Sequence, residues 1–260
     1  MTTTTIELSG GFETVEVHLF ADEHIGDANC DLKRLKERIE YVKNTPNAIC
    51  VLNGDIVDYA SRSSISDIET RKYNIMEQLE VATELFKDIA PKIACITSGN
   101  HEARSYKKEG IDFSKVFANA IGCSDRYAPS SAVVFVQFGK GKNHGKGVTN
   151  KRIFSMFVSH GTGGGRKEGA KANALADMAS IVDTDIYIHS HTHLPMVLKE
   201  DYFRVSMNTR KVQKVTKLFV NTASNLDYGG YGATALFKPA AKDTPVIYLQ
   251  ANPKKATAVL

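Results

Sequence analysis

The chain has 260 residues, 42% hydrophobic and 24% charged, the proportions of an ordinary globular protein rather than a disordered or fibrous one. No apolar run approaches the roughly 18 residues that a membrane span needs. The polar start MTTTTIELSGGFET has neither the basic nor the apolar region of a signal peptide, so a soluble, cytoplasmic protein with no membrane partner is expected. The net charge of +4 hides an asymmetry, since residues 1–139 carry 15 Lys+Arg against 21 Asp+Glu while residues 140–260 carry 18 against 8. A basic half can recruit phosphate-bearing partners by long-range attraction, or it can be solvated loops and strand faces.

In chain order, TVEVHLFAD (14–22) reads as a strand rich in β-branched residues, and LKRLKERIEYVKN (32–44) follows with apolar residues at helical spacing. AICVLNGD (48–55) is the next strand, and the stretch from Ser66 to Ile89 is expected to form one long amphipathic helix ending before Pro91. KIACITSGN (92–100) is a third strand, with a helical segment over Phe113–Ile121 beyond it. Cys50 and Cys95 fall inside these apolar runs and read as small buried strand residues. Strand–helix–strand alternation implies right-handed crossovers and parallel pairing.

The second half changes character. SAVVFVQF (131–138) and KRIFSMFVSH (151–160) look like two strands joined by a Gly- and Lys-rich loop, and a helix over Glu168–Ser180 leads to the strand DIYIHS (185–190). Strand patterns then dominate: MVLKEDYFRVSM, KVTKLFVNT, ATALFK and PVIYLQ. With no Pro/Ser-rich linker in sight, residues 1–260 are expected to form a single α/β domain with two sheets.

Polar residues able to bind metal gather directly after the predicted strands. They are Asp22-Glu23-His24, Gly54-Asp55-Ile56-Val57-Asp58, Gly99-Asn100-His101-Glu102, Ser159-His160-Gly161 and His191-Thr192-His193. Ligands of open α/β sheets bind beyond the carboxyl ends of the strands, so five such segments can converge in one cleft. Asp22 and His24 are two residues apart, as are His191 and His193, which in extended backbone puts each pair on one face. Taken alone, each motif is as ordinary as a turn or a surface histidine. Together they place seven donor residues at strand ends in a chain with only eight histidines.

The ordered series Asp-x-His, Gly-Asp-x-x-Asp, Gly-Asn-His-Glu, His-Gly and His-x-His, from Asp22 to His193, resembles the calcineurin-like metallophosphoesterase superfamily. The resemblance implies a four-layer α/β/β/α sandwich of two mixed sheets flanked by helices. It implies a dinuclear enzyme that hydrolyses a phosphodiester or phosphomonoester with metal-activated hydroxide. Asp22, His24 and His193 would hold one ion, Asn100, His160 and His191 the other, and Asp55 would bridge them. His101 would stabilise charge or donate a proton, oriented by Asp58. Two divalent transition-metal ions are implied, with manganese, iron, zinc and nickel all suited to imidazole and carboxylate donors. Two departures stand out. Ser190 precedes His191 where the family has Gly, and Tyr59-Ala60 replaces the Arg-Gly of the protein Ser/Thr phosphatases.

Outside the series, HGTGGGRKEGAK lacks the Gly-Lys-Ser/Thr ending of a phosphate loop, and reads as a loop whose Arg166 and Lys167 reach a substrate phosphate, or as a plain connector. Lys140, Lys142, His144, Lys146, Lys151 and Arg152, and the cluster Arg210, Lys211, Lys214 and Lys217, offer a path for a nucleic-acid backbone, or form solvated hairpins. A metal-dependent nuclease is therefore one alternative, and a non-catalytic binding scaffold on the same fold is another.

Overall fold

The computed structural model describes residues 1–9, 11–60, 70–139, 151–163 and 165–260. In chain order it contains β1 (Thr2–Glu7), β2 (Thr14–Phe20), α1 (Leu32–Asn44), β3 (Ala48–Asn53), α2 (Ile75–Phe86), β4 (Ile93–Thr97), α3 (Ala103–Glu109), α4 (Phe113–Ala120), β5 (Tyr127–Ala128) and β6 (Ser131–Phe138). Then come β7 (Arg152–Ser159), α5 (Glu168–Asp177), β8 (Ile186–His189), β9 (Met196–Ser206), β10 (Lys211–Asn221), α6 (Gly230–Thr234), β11 (Val246–Gln250) and β12 (Lys255–Val259).

Helices α1, α2 and α4 start where a side chain satisfies open N–H groups. Asp31 caps α1 by accepting from Arg34 N at 3.0 Å. Asn74 and Glu77 form a reciprocal capping box at the start of α2, which corrects the expected helix from Ser66. Residues 66–69 lie outside the described residues, and 70–73 are turn and bend. The far end differs too: α2 stops at Phe86 and a 3-10 turn over Lys87–Lys92 carries Pro91.

The strands form two mixed sheets of six. One runs β12-β11-β2-β3-β4-β5, with β2 to β5 parallel as the alternation implied; the other runs β1-β6-β7-β8-β10-β9. The sheets face one another through Val17, Leu19, Val51, Val134, Met156 and Ile188, all buried. Helices α1, α2 and α4 cover the outer face of the first sheet with Leu35, Ile39, Phe86 and Phe117. Leu175 of α5 and Met178 close the second against Tyr187 and Phe219. Each such side chain, fully withdrawn from water, contributes roughly 1.5–3 kcal/mol. This is the four-layer sandwich. β3 is buried at all six positions, which is why it reads as a continuous apolar run rather than an alternating one. Cys50 and Cys95 are buried strand residues, and all four cysteines are free.

Five elements escaped the sequence reading: β1, whose threonines pair parallel with β6, α3, β5, α6 and β12. One strand was misassigned. ATALFK is not a strand: α6 ends at Thr234, and Leu236 beyond it is 83% exposed. No helix among the described residues is long and apolar enough to cross a membrane.

Candidate metal centre

The carboxyl ends of β2, β3 and β4 point the same way because the three are parallel, and those of β7 and β8 meet them from the second sheet. A buried polar chain ties four of these ends together. Thr97 Oγ1 donates to Asn53 Oδ1 at 2.7 Å. Asn53 Nδ2 donates in turn to the Ser159 carbonyl at 2.9 Å and to Ser190 Oγ at 2.7 Å. Ser190 thus has a task that the glycine expected at its position lacks.

Beyond the strand ends the backbone turns sharply. Asp22 (φ 53°), His24 (49°), Asp55 (50°), His191 (66°) and His193 (54°) all adopt left-handed backbone. The sequence reading brought Asp22 to His24, and His191 to His193, by strand alternation. That route is wrong: β2 ends at Phe20 and β8 at His189, and the pairs converge through left-handed residues instead. Such a conformation costs a non-glycine residue roughly 1–3 kcal/mol, and it persists where the surroundings enforce it. Gly54 and Gly99 make the crowding tolerable, since a Cβ on Gly99 would sit 2.1 Å from Asp55 Oδ1.

The convergence yields two groups whose donor atoms lie within 4.8 Å of one another: Asp22, His24 and His193, and Asp55, His160 and His191. Asn100 joins the second, its Oδ1 standing 3.2 Å from His160 Nε2. Asp55 Oδ2 is 3.3 Å from the same nitrogen, which lies 3.9 Å from Asp22 Oδ1, so the groups adjoin. All seven sequence-selected donors are therefore brought together. A third group of His24, Asp58 and His101 abuts the first. His101 Nδ1 donates to the Asp58 main-chain carbonyl at 2.5 Å and stands 3.2 Å from its carboxylate.

The electrostatics follow from burial and from these neighbours. Burial works to raise the pKa of Asp22, but His193 and His160 outweigh it and hold it at about 2. Asp55 lies well below the usual carboxylate range because His160 and His101 likewise overcome its burial. His160 rises to about 10, with Asp55 and Asp22 outweighing burial. His101 is raised as Asp55 and Asp58 overcome its burial. His24, buried and beside His101, falls to about 3 and stays neutral. Neither ring nitrogen of His24 has a hydrogen-bond partner, and Asp22 Oδ1 lies 3.2 Å from His193 Nε2. Buried polar atoms are almost always paired. A buried neutral imidazole with both nitrogens unpaired, beside a carboxylate oxygen faced by further imidazole nitrogens, fits a divalent cation.

The calcineurin-like phosphoesterase family model matches residues 17–195. The chain belongs to that family. Among solved structures, this calcineurin-like phosphoesterase is similar to Vacuolar Protein Sorting 29 from Cryptosporidium parvum, at 16% identity over 95% of this chain and 97% of that one, TM-score 0.41. It is also similar to a metallophosphoesterase from Sphaerobacter thermophilus, at 13% identity over 94% and 87%, TM-score 0.40. A third is a conserved uncharacterized protein from Streptococcus pneumoniae TIGR4, at 14% identity over 95% and 98%, TM-score 0.35. No curated protein matches the chain.

The two cations picked out for substrate binding flank the start of α5. Arg166 donates to the Ala235 carbonyl at 3.2 Å and lies over the Phe237 ring, and Lys167 caps α5 through its backbone. The lysine that touches the histidine turn is Lys171, whose Nζ donates to the Thr192 carbonyl at 2.7 Å. Nothing in the sequence marked it. Glu102, quoted in the motif but given no role, organises the loops. Its carboxylate accepts from Asp55 N (3.0 Å), Val57 N (3.1 Å) and Gly99 N (3.0 Å). Asn221 was also missed: its Oδ1 meets His189 Nδ1 at 2.7 Å and its Nδ2 donates to Thr192 Oγ1 at 2.9 Å. Glu102→Ala strands three buried N–H groups at roughly 1–3 kcal/mol each. Denaturant melts of the metal-free protein should lose at least about 3 kcal/mol, and a loss below about 1 kcal/mol would remove Glu102 from this role.

Proposed function

We propose that this chain is a dinuclear metal-dependent phosphoesterase, acting as one domain over residues 1–260 on a phosphodiester or phosphomonoester. Asp22, His24 and His193 would hold one divalent cation, Asn100, His160 and His191 the other, with Asp55 shared. The observation that carries this reading is His24, a buried neutral imidazole with both nitrogens unpartnered, in one donor group with Asp22 and His193. Bound there, the two cations supply Lewis-acid stabilisation of phosphoryl oxygens and lower the pKa of water.

The protein's own part is to fix the donors and to manage protons. Glu102 and the Asn53 chain hold the loops rigid, which keeps the donors placed without reorganisation during reaction. His101 keeps its Nδ1 proton on the Asp58 carbonyl and turns Nε2 toward Asp55 at 3.8 Å. That nitrogen is the proton donor we assign to the leaving oxygen. The nuclease alternative draws on the basic second half, yet several of its described cations are neutralised locally: Lys214 by Asp201, Lys217 and Arg204 by Asp183, Lys151 by Glu7. Lys140, Lys142, His144 and Lys146 lie outside the described residues. A scaffold has no need of a complete donor set, and this chain keeps all seven residues and His101.

Manganese titrated into the purified protein should saturate at about two ions per chain, and turnover of a bis-aryl phosphate should appear with the second. Saturation at one ion or none would sink the dinuclear reading. Two bound ions with no turnover of mono- or diesters would favour the scaffold.

A further inference from the structure

β9 ends its sheet and is eleven residues long. Of its partner β10, only Leu218–Asn221 pair with β8. The remainder, Lys211–Lys217 against Glu200–Ser206, extends past the sheet as a two-stranded arm. A ribbon of two strands is marginally stable in water on its own. Phe203, Val205 and Val212, the last opposite Val205, share one face and are 80%, 62% and 64% exposed. Met207 at the tip is 82% exposed. A contiguous apolar strip of this kind on an open edge strand marks a contact surface.

We propose that two copies of this chain associate through the arm, β9 pairing antiparallel with β9 of the second copy about a two-fold axis at Tyr202. The charges along Lys199-Glu200-Asp201-Tyr202-Phe203-Arg204 select that register. Centred on Tyr202, it sets Glu200 opposite Arg204 of the second copy, and symmetry repeats the pair. It also carries Met207 back from the tip to Val197 of the second copy, which is already packed against the core. One step away, a pairing centred on Asp201 would place two carboxylates face to face. Edge strands usually carry charges that discourage pairing; here the register centred on Tyr202 turns Glu200 and Arg204 into two attractive pairs. Arg204 meets Asp183 at 2.6 Å, but that carboxylate is also met by Lys217 at 2.7 Å, and a guanidinium has five N–H donors to share. The arm's tip lies at the opposite end of β10 from Asn221, and this register lays the tip of the second copy along β9 as far as Val197, which pairs with Val220.

Light scattering on the full chain at micromolar concentration should give twice the mass of one chain. Arg204→Glu and Glu200→Arg should each halve that mass, and combining them should restore it, with melting temperature unchanged throughout. Phe203→Asp should also give single chains. A wild type that is monomeric, a dimer that survives Arg204→Glu, or a double variant that stays monomeric would overturn the proposal. So would a monomeric wild type that sediments with phosphatidylserine vesicles, which would make the arm a lipid contact.

Discussion

Asp55→Asn should abolish ester hydrolysis and strip at least one metal ion. Asp55 is 1% exposed and anionic throughout the neutral range, because His160 and His101 overcome its burial. Asparagine preserves the shape and can still accept from His101 N, which meets Asp55 Oδ1 at 2.8 Å. What it removes is the charge that the proposal shares between the two donor groups. Removing one partner from a buried ion pair costs about 3–5 kcal/mol, which is about 10²–10⁴ in an equilibrium constant. Metal content by elemental analysis should fall from about two ions to one or fewer, with turnover down by a comparable or larger factor. Two retained ions and turnover within about tenfold of wild type would show that Asp55 is no bridge, since a factor of ten corresponds to only about 1.4 kcal/mol.

How much of this was legible in the sequence depended on whether the signal was local. α1 was read to its residue limits because Leu35, Ile39 and Val42 repeat at helical spacing behind a capping Asp31. β3 and β4 were legible because fully buried strands are unbroken apolar runs bounded by turn residues. The start of α2 was missed although Asn74 and Glu77 spell a capping box, because apolar periodicity was extended past a cap that should have ended it. ATALFK shows the limit of alternation, which cannot say whether the apolar residues meet a core. β1 was missed for the opposite reason, since four threonines look polar yet suit an edge strand.

The donor set was legible as residues but not as geometry. Asp-x-His reads the same whether the backbone is extended or left-handed, so five positive φ angles were invisible. The partners that hold the loops come from far along the chain. Asn53 bonds Ser190, and the Asp22 carbonyl accepts from Asn225 N at 3.0 Å and from Ser224 Oγ at 3.1 Å. No local pattern announces contacts across such separations, and only the closing of two sheets creates them.

His101→Gln should lower turnover while leaving metal content near two. His101 belongs to neither of the two donor groups built on Asp22 and Asp55. It stands beside them, with Nδ1 on the Asp58 carbonyl and its ring 4.5 Å from that of His24. Its pKa is raised, with Asp55 and Asp58 outweighing burial, which favours the protonated form. A donor of this kind is active below its pKa and lost as pH rises through it, so turnover of poor leaving groups should fall on the alkaline side. Loss of a general acid typically costs about 10²–10⁴-fold, or roughly 3–5 kcal/mol of barrier. Glutamine keeps hydrogen-bonding capacity but carries no transferable proton. The loss should therefore be large for alkyl esters, whose leaving oxygen needs a proton, and small for nitrophenyl esters, whose leaving oxygen does not. The alkaline limb should vanish in the variant with it. Equal losses for both classes with metals intact would assign His101 to charge stabilisation alone, and loss of metal would place it among the ligands instead.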